Sequence, residues 1–373
     1  MKGMKKVVML IVGMCMLLYG TIAMAKVSGP CADCHTMHNM QGGNELYPNG
    51  PYGALTKGDC IGCHMRNDGD TLGGTLDQIP IVYNAQDPNY GVNGTDGDTL
   101  AGGNFYWVVT KGNEYGHNVE GIPGVTFDMS PPGFDGGRPD AEGNKPANGT
   151  WPSNQMVTCA GLYGCHGRHT EDDNWASIRG AHHADDTTID GNTVGTSYRF
   201  LIGILGKEDD DWEYKPDSLH HNQYKGIHRT DDQNYDSSTI SYLCAECHGE
   251  FHNGNGNVGD ASPWLRHPTD FDLGAASGSE YASYNGGTGT GNTYSVVAPV
   301  ASVDVSNVLD KVNPGSTDGT AIVMCISCHR AHGTPYKDLL RWPYLPDEGG
   351  QCTVGGGSGG CGCLICHTEK GTY

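Results

Sequence analysis

Five times along 373 residues a cysteine is followed by two other residues, a second cysteine and a histidine: CADCH at 31, CIGCH at 60, CAECH at 244, CISCH at 325 and CLICH at 363. In a helical turn advancing about 100° per residue, the second cysteine lies about 300° from the first and the histidine about 400°, so all three share one face. Two thiols and an imidazole therefore converge on one object. A single copy could be a redox disulfide or half of a zinc site. Five copies, each with its histidine immediately after the second cysteine, leave little room for either.

Composition sharpens the point. Fifty-eight glycines, six phenylalanines and 36% apolar residues leave little to bury, while ordering the chain costs roughly 1–2 kcal/mol per residue. Disorder is the default for such a chain unless something other than side chains fills the interior. C-x-x-C-H is the attachment signature of c-type haem, in which the thiols add to the vinyl groups and the imidazole ligates iron. The fold expected is a multihaem cytochrome c. It is mostly irregular or loop structure, with short helices at the haem motifs, a few short β-hairpins, and haems forming the core.

A sixth motif is irregular. In TCAGLYGCHGRH, at 158 to 169, Cys159 and Cys165 are separated by five residues before His166. An unbroken helix would set these thiols about 240° apart, so the intervening residues must bulge, which Gly161 and Gly164 permit. The expectation is six haems c, or five if Cys159 and Cys165 instead form a disulfide. The thioether cysteines are then Cys31, Cys34, Cys60, Cys63, Cys159, Cys165, Cys244, Cys247, Cys325, Cys328, Cys363 and Cys366. The proximal iron ligands are His35, His64, His166, His248, His329 and His367. Cys352 and Cys361 flank a glycine-rich stretch, and a disulfide there would contribute about 2.7 kcal/mol. A competing register attaches haem through Cys361 and Cys366.

The opposite face of each iron decides between chemistry and electron passage. Eleven histidines remain, and His38, His252 and His332 stand three or four residues past a proximal histidine. Each projects from the same short helix and cannot reach the far face of its own haem, so it would ligate a neighbour's iron. His117, His183 and His267 complete the expected distal set, with His182, His221 and His228 in reserve and His169 ranked below His38, His252 and His332. All-histidine coordination predicts low reduction potentials.

Six stretches are distinguished along the chain: a signal peptide at 1–25, an N-terminal two-haem segment at 26–75, and a haem-free Gly/Asn-rich segment at 76–155. A central segment with haems three and four follows at 156–275, then a Gly/Ser/Thr-rich segment at 276–320. A C-terminal two-haem segment with the disulfide closes the chain at 321–373. The runs NFYWVV at 104 and TYSVVAPVASVDV at 293 read as strand-like. DGDTLGG at 68 and DGDTLAGG at 96 form a local duplication whose alternating aspartates suit either calcium or an acidic turn. Trp342 and Tyr344 are expected to pack on a porphyrin face.

The apolar, Lys-containing start ending in an A-x-A arrangement at Ala23 and Ala25 reads as a secretory signal, and no later segment is apolar enough to cross a membrane. After its removal 19 basic residues face 43 acidic ones, which excludes nucleic acid as a partner. The motifs, the export signal and the Gly-rich wrapping resemble the outer-surface multihaem cytochromes of metal-reducing bacteria, some of which polymerise as nanowires. That resemblance implies an electron carrier outside the cell. It would meet redox proteins or extracellular acceptors and could self-polymerise through its end haems. The alternatives are a periplasmic shuttle and a multihaem reductase of the nitrite or hydroxylamine type with one open iron. No C-x-x-C-K variant is present.

Overall fold

The computed structural model describes residues 30–41, 43–45, 50, 52–71, 79–91, 93–126, 130–184, 188–230, 235–252, 268–276, 280–288, 290–344 and 362–368. The expected signal peptide, His267, Cys352 and Cys361 lie outside them. Among the described residues no helix is long and apolar enough to cross a membrane.

Regular structure is sparse and local. The longest described α-helix, Ile240–Cys247, has eight residues, and the strands, two or three residues long, pair into six two-stranded sheets. Four of these are antiparallel, including Asn292–Thr293 with Lys311–Val312 and Phe271–Asp272 with Ile322–Val323. Two are parallel, Met65–Arg66 with Tyr83–Asn84 and Thr158–Ala160 with Gly164–His166. Of the run expected to be strand-like near 293, Asn292–Thr293 joins a sheet and Ala301 and Ser302 form bridges with Ile322 and Lys225, while Val300 and Ala301 are fully buried.

The run at 104 departs from expectation. It forms a helix, Tyr106–Lys111, that buries Trp107 and Val108. The Asn104 side chain accepts the Tyr106 N–H at its start, and Gly112, at φ 113°, ends it. Aromatic and β-branched residues suit a strand only where a neighbouring strand takes their backbone groups. Here a helix satisfies those groups within the run itself.

With so little ladder, side chains hold the loops. Asn84 and Asn104 form a buried amide pair, and Asn84 Nδ2 also donates to the carbonyls of Asp68 and Asp70. Buried Arg330 donates to the carbonyls of Gly94, Leu100 and Ala101, which ties the segment after the fifth motif to a loop some 230 residues earlier. Asp272 accepts from the N–H groups of Gly274 and Gly319. Each bond satisfies a loop backbone group that has no sheet to join.

Apolar side chains gather in several small clusters, and each touches an attachment motif. One joins Ile61 and Phe105 to Cys159; another sets Tyr198, Tyr224 and Ile322 against Leu243 and Ile326. A third packs Tyr284 and Tyr294 on Ile365 and Cys366. A small one centres Trp342 between Cys328 and Cys363, while Tyr344 is 53% exposed, so only the tryptophan packs inside. The duplicated aspartates act as acidic turns: Asp68 pairs with Arg66 at 2.8 Å and Asp98 with Lys215 at 2.9 Å. Among the described residues no group of three or more His, Cys, Asp or Glu side chains forms a metal-ion cage.

Candidate haem-attachment sites

Four of the five regular motifs lie on α-helical turns. Cys31–Cys34, Cys60–His64 and Cys363–Cys366 are helices in themselves, and Cys244 and Cys247 end the helix Ile240–Cys247. The fifth starts as a single 3-10 turn, Cys325–Ser327. In each described turn the thiols stand one turn apart, and at four sites the histidine N–H returns to the carbonyl of the first cysteine. Asp59 and Thr239 cap the second and fourth sites by accepting the N–H of Gly62 and Tyr242.

The irregular motif is built without a helix. Thr158–Ala160 and Gly164–His166 run parallel, joined by a turn in which Gly161 has φ 90°. Gly164 has ordinary backbone angles but no room for a side chain, since a Cβ there would sit 2.6 Å from the Ala160 backbone. Gly161 thus supplies the bulge through its dihedral, and Gly164 through close approach. Cys159 and Cys165 are both free thiols, as are the other ten motif cysteines.

Five of the six histidines after the motifs share one hydrogen-bond pattern. Nδ1 of His35 lies 3.0 Å from the Ala54 carbonyl, that of His64 2.9 Å from Pro80, and that of His166 2.9 Å from Arg199. His248 meets Pro132 at 2.7 Å and His329 meets Asp338 at 2.6 Å. A carbonyl only accepts, so Nδ1 carries the proton and Nε2 keeps its lone pair, as a metal-ligating histidine requires. Desolvation by the surrounding chain also holds His64, His166 and His329 below the usual imidazole range and His248 down at about 4. The neutral, metal-binding form is therefore the stable one. His117 shows the same pattern, with Nδ1 2.5 Å from the Ala331 carbonyl.

Three histidine pairs face each other at a telling distance. Ring centres are 6.1 Å apart for His35 and His183, 6.3 Å for His64 and His182, and 6.1 Å for His117 and His248. Two imidazoles bound on opposite sides of one metal, through bonds of roughly 2.0–2.1 Å, would hold their ring centres about 6.3 Å apart. The residues present fit a haem iron between each pair. His332 is buried and pushed down to about 3 by desolvation, and His166 acts on it more strongly than His117 does.

The other expected distal residues lie elsewhere. His252 is buried with Nε2 2.8 Å from Asp270 Oδ2, and Arg229 Nε is 3.8 Å from the same oxygen. A buried carboxylate 18 residues away thus claims the ring that helical spacing alone would offer to an iron. His38 is exposed. His169 is buried with Nδ1 2.9 Å from Glu246 and 3.5 Å from Asp140. His221 stacks on Tyr294 at 3.7 Å. The partner of His64, His182, stood among the reserves; the doubled HH was its only signal.

The thiols give the order of the sites in space. Cys63 is pushed up by desolvation and then by Cys34. The Cys159 thiol is raised first by its hydrogen bond with Cys60. Cys165 acts on both Cys244 and Cys247, and Cys244 is raised first by its hydrogen bond with Cys325. Desolvation and then Cys363 push Cys328 up to about 12. Each motif therefore lies beside the next, and the six form a row in chain order. The irregular motif occupies the third place.

No known family profile matches the chain. Among curated proteins it is similar to the C-type cytochrome OmcS of Geobacter sulfurreducens, with 26% identity over 416 aligned positions that cover 91% of this chain and 85% of the relative. Among solved structures it is similar to the Outer Membrane Cytochrome S filament of that organism (TM-score 0.43, 19% identity, 86% of this chain and 85% of the other). It is also similar to the OmcS nanowires seen by cryo-electron microscopy (TM-score 0.41, 18% identity, 85% and 84%). The curated relative is a cytochrome of the kind that the motifs resemble.

Proposed function

We propose that the chain is an extracellular electron carrier that holds six c-type haems in a continuous row and associates end to end with further copies. The observation that carries this reading is the row itself: six attachment motifs, each beside the next in chain order. Cys31, Cys34 and their ten counterparts would form the thioethers. His35, His64, His166, His248, His329 and His367 would bind from the near side, and His183, His182, His332 and His117 would close the first four sites from the far side. When bound, the haems supply one-electron chemistry. The chain would close their faces with imidazole, fix the ring tautomer of His35, His64, His166, His248, His329 and His117 through a carbonyl on Nδ1, and surround the row with loops.

His38 belongs to the association between copies. It cannot turn back onto its own site, it is exposed, and it lies at the first end of the row, so the iron within its reach is that of another copy. Among the described residues no histidine ring is paired with His329, and a reductase reading would depend on the fifth or the sixth site.

The test is the intact mass of the protein exported from a host with haem-attachment machinery, followed by carbon monoxide exposure after reduction. Six haems and no carbon monoxide band in the assembled state support the carrier. Five haems would break the row at its third place, and a carbon monoxide complex persisting in assembled protein would favour the enzyme. Electron microscopy of the secreted fraction checks assembly, where absence of filaments favours a shuttle.

A further inference from the structure

Three arginines are deeply buried among the described residues, and their surroundings differ. Arg229 has a carboxylate partner, Asp270, with Nε 3.8 Å from Oδ2. Arg330 donates to three loop carbonyls and lies over the Tyr90 ring, 5.5 Å from its centre. Arg341, 2% exposed, has one described side-chain bond, from Nε to the Ile326 carbonyl at 2.7 Å. No carboxylate forms an ion pair with it among the described residues. The buried Glu213 acts on it from a distance, but its oxygens accept from the Asn222 N–H and the Tyr224 hydroxyl.

A guanidinium stays protonated and offers five N–H donors. Burying it without an opposing charge is strongly unfavourable, so a fold that keeps Arg341 buried needs a counter-charge that no described residue provides. Its place is well defined. Ile326 lies inside the CISCH motif; the Arg341 N–H donates to the Cys328 carbonyl at 2.8 Å, and its own carbonyl accepts from the Tyr90 hydroxyl. His329 and Leu340 form a bridge alongside. The side chain is therefore fastened at the fifth attachment site from both its backbone and its Nε.

We propose that Arg341 is the haem-binding cation of the fifth site: it takes a haem propionate as its ion-pair partner and raises that haem's reduction potential. This rests on the reading of the motifs as haem sites. Reduction from ferric to ferrous adds one electron and removes one positive charge from the iron. A fixed positive charge close by in a poorly solvated interior favours the reduced form. At the third and fourth sites the buried acidic groups Glu246 and Asp140 instead have a partner within the chain, His169. The row is then uneven by construction, with an electron resting more readily near its C-terminal end.

The experiment is a potentiometric titration of the exported holoprotein followed by haem absorbance, with haem count by intact mass, for the natural chain, R341M, R341Q and R341K. The haem count of the natural chain tests the underlying reading separately. With six haems retained, one haem's share of the absorbance in R341M or R341Q should move to lower potential by at least about tenfold in its reduction equilibrium, 59 mV for one electron. R341K, which keeps the charge, should follow the natural curve within about threefold. If R341M and R341Q fail to keep six haems while R341K keeps them, the charge is needed to hold the haem, which also supports the assignment. Curves of R341M and R341Q that superimpose on the natural one at full haem count overturn it. So does an R341K protein displaced, or depleted of haem, as far as R341M.

Discussion

The third and fourth candidate attachment sites present the same donor set, two thiols and an imidazole, on two different backbones. At the fourth, an eight-residue helix capped by Thr239 sets Cys244 and Cys247 one turn apart and brings His248 back to the Cys244 carbonyl. At the third, two parallel strands of three residues hold Cys159 and Cys165 with a tight turn between them. Both end with a histidine whose Nδ1 rests on a distant carbonyl and whose protonation is suppressed by desolvation. The helix is therefore the local solution to a requirement set in space. The strand version depends on remote chain, because Gly167 and His166 are held by Phe200 and Arg199.

The largest test of that equivalence removes the thiols. Replacing Cys159 and Cys165 with serine should cost one haem by intact mass, and so should replacing Cys244 and Cys247. If only the second pair lowers the count, the extended motif carries no haem and the comparison fails.

A smaller effect separates the backbones. Gly164→Ala places a Cβ against the Ala160 backbone and should destabilise the protein by about 1–3 kcal/mol as an overpacked site. Gly62→Ala, in the helical turn of the second site, meets only Asp59 Oδ1 at 3.6 Å and should be neutral or gain about 0.5–1 kcal/mol. Denaturant unfolding of the holoproteins measures both, and equal losses would mean that the strand geometry makes no special demand. The smallest change is Thr239→Ala, which removes the cap of the fourth site. It should cost about 1 kcal/mol in the same assay with all haems retained.

The chemistry of this molecule was far more legible in its sequence than its geometry. On the proposed reading, covalent attachment demands two thiols and an imidazole in fixed order, and that demand would stay visible even where the spacing widens at Cys159. The pairing of His35 with His183 and of His64 with His182 joins residues well over a hundred positions apart, and no local period encodes it. His252 shows the same limit, for helical spacing puts it in reach of a neighbouring site while Asp270, from another loop, decides its direction. Trp342 and Tyr344 read alike in sequence, yet one is buried and the other exposed. The short run at 104 became a helix because Asn104 and Gly112 bound it.

The single 3-10 turn Ala181–His183 also bears on how the protein matures. A chain that leaves the cell N-terminus first presents its first two motifs long before this turn, since His183 follows His35 by 148 residues and His182 follows His64 by 118. On the proposed reading, haems attached there would wait with one face uncovered until the central segment emerged. At the fourth site the order is reversed, because His117 is already outside when Cys244 arrives. Export would then close the irons out of sequence, and a chain stalled before residue 180 would bind small ligands that the finished protein refuses.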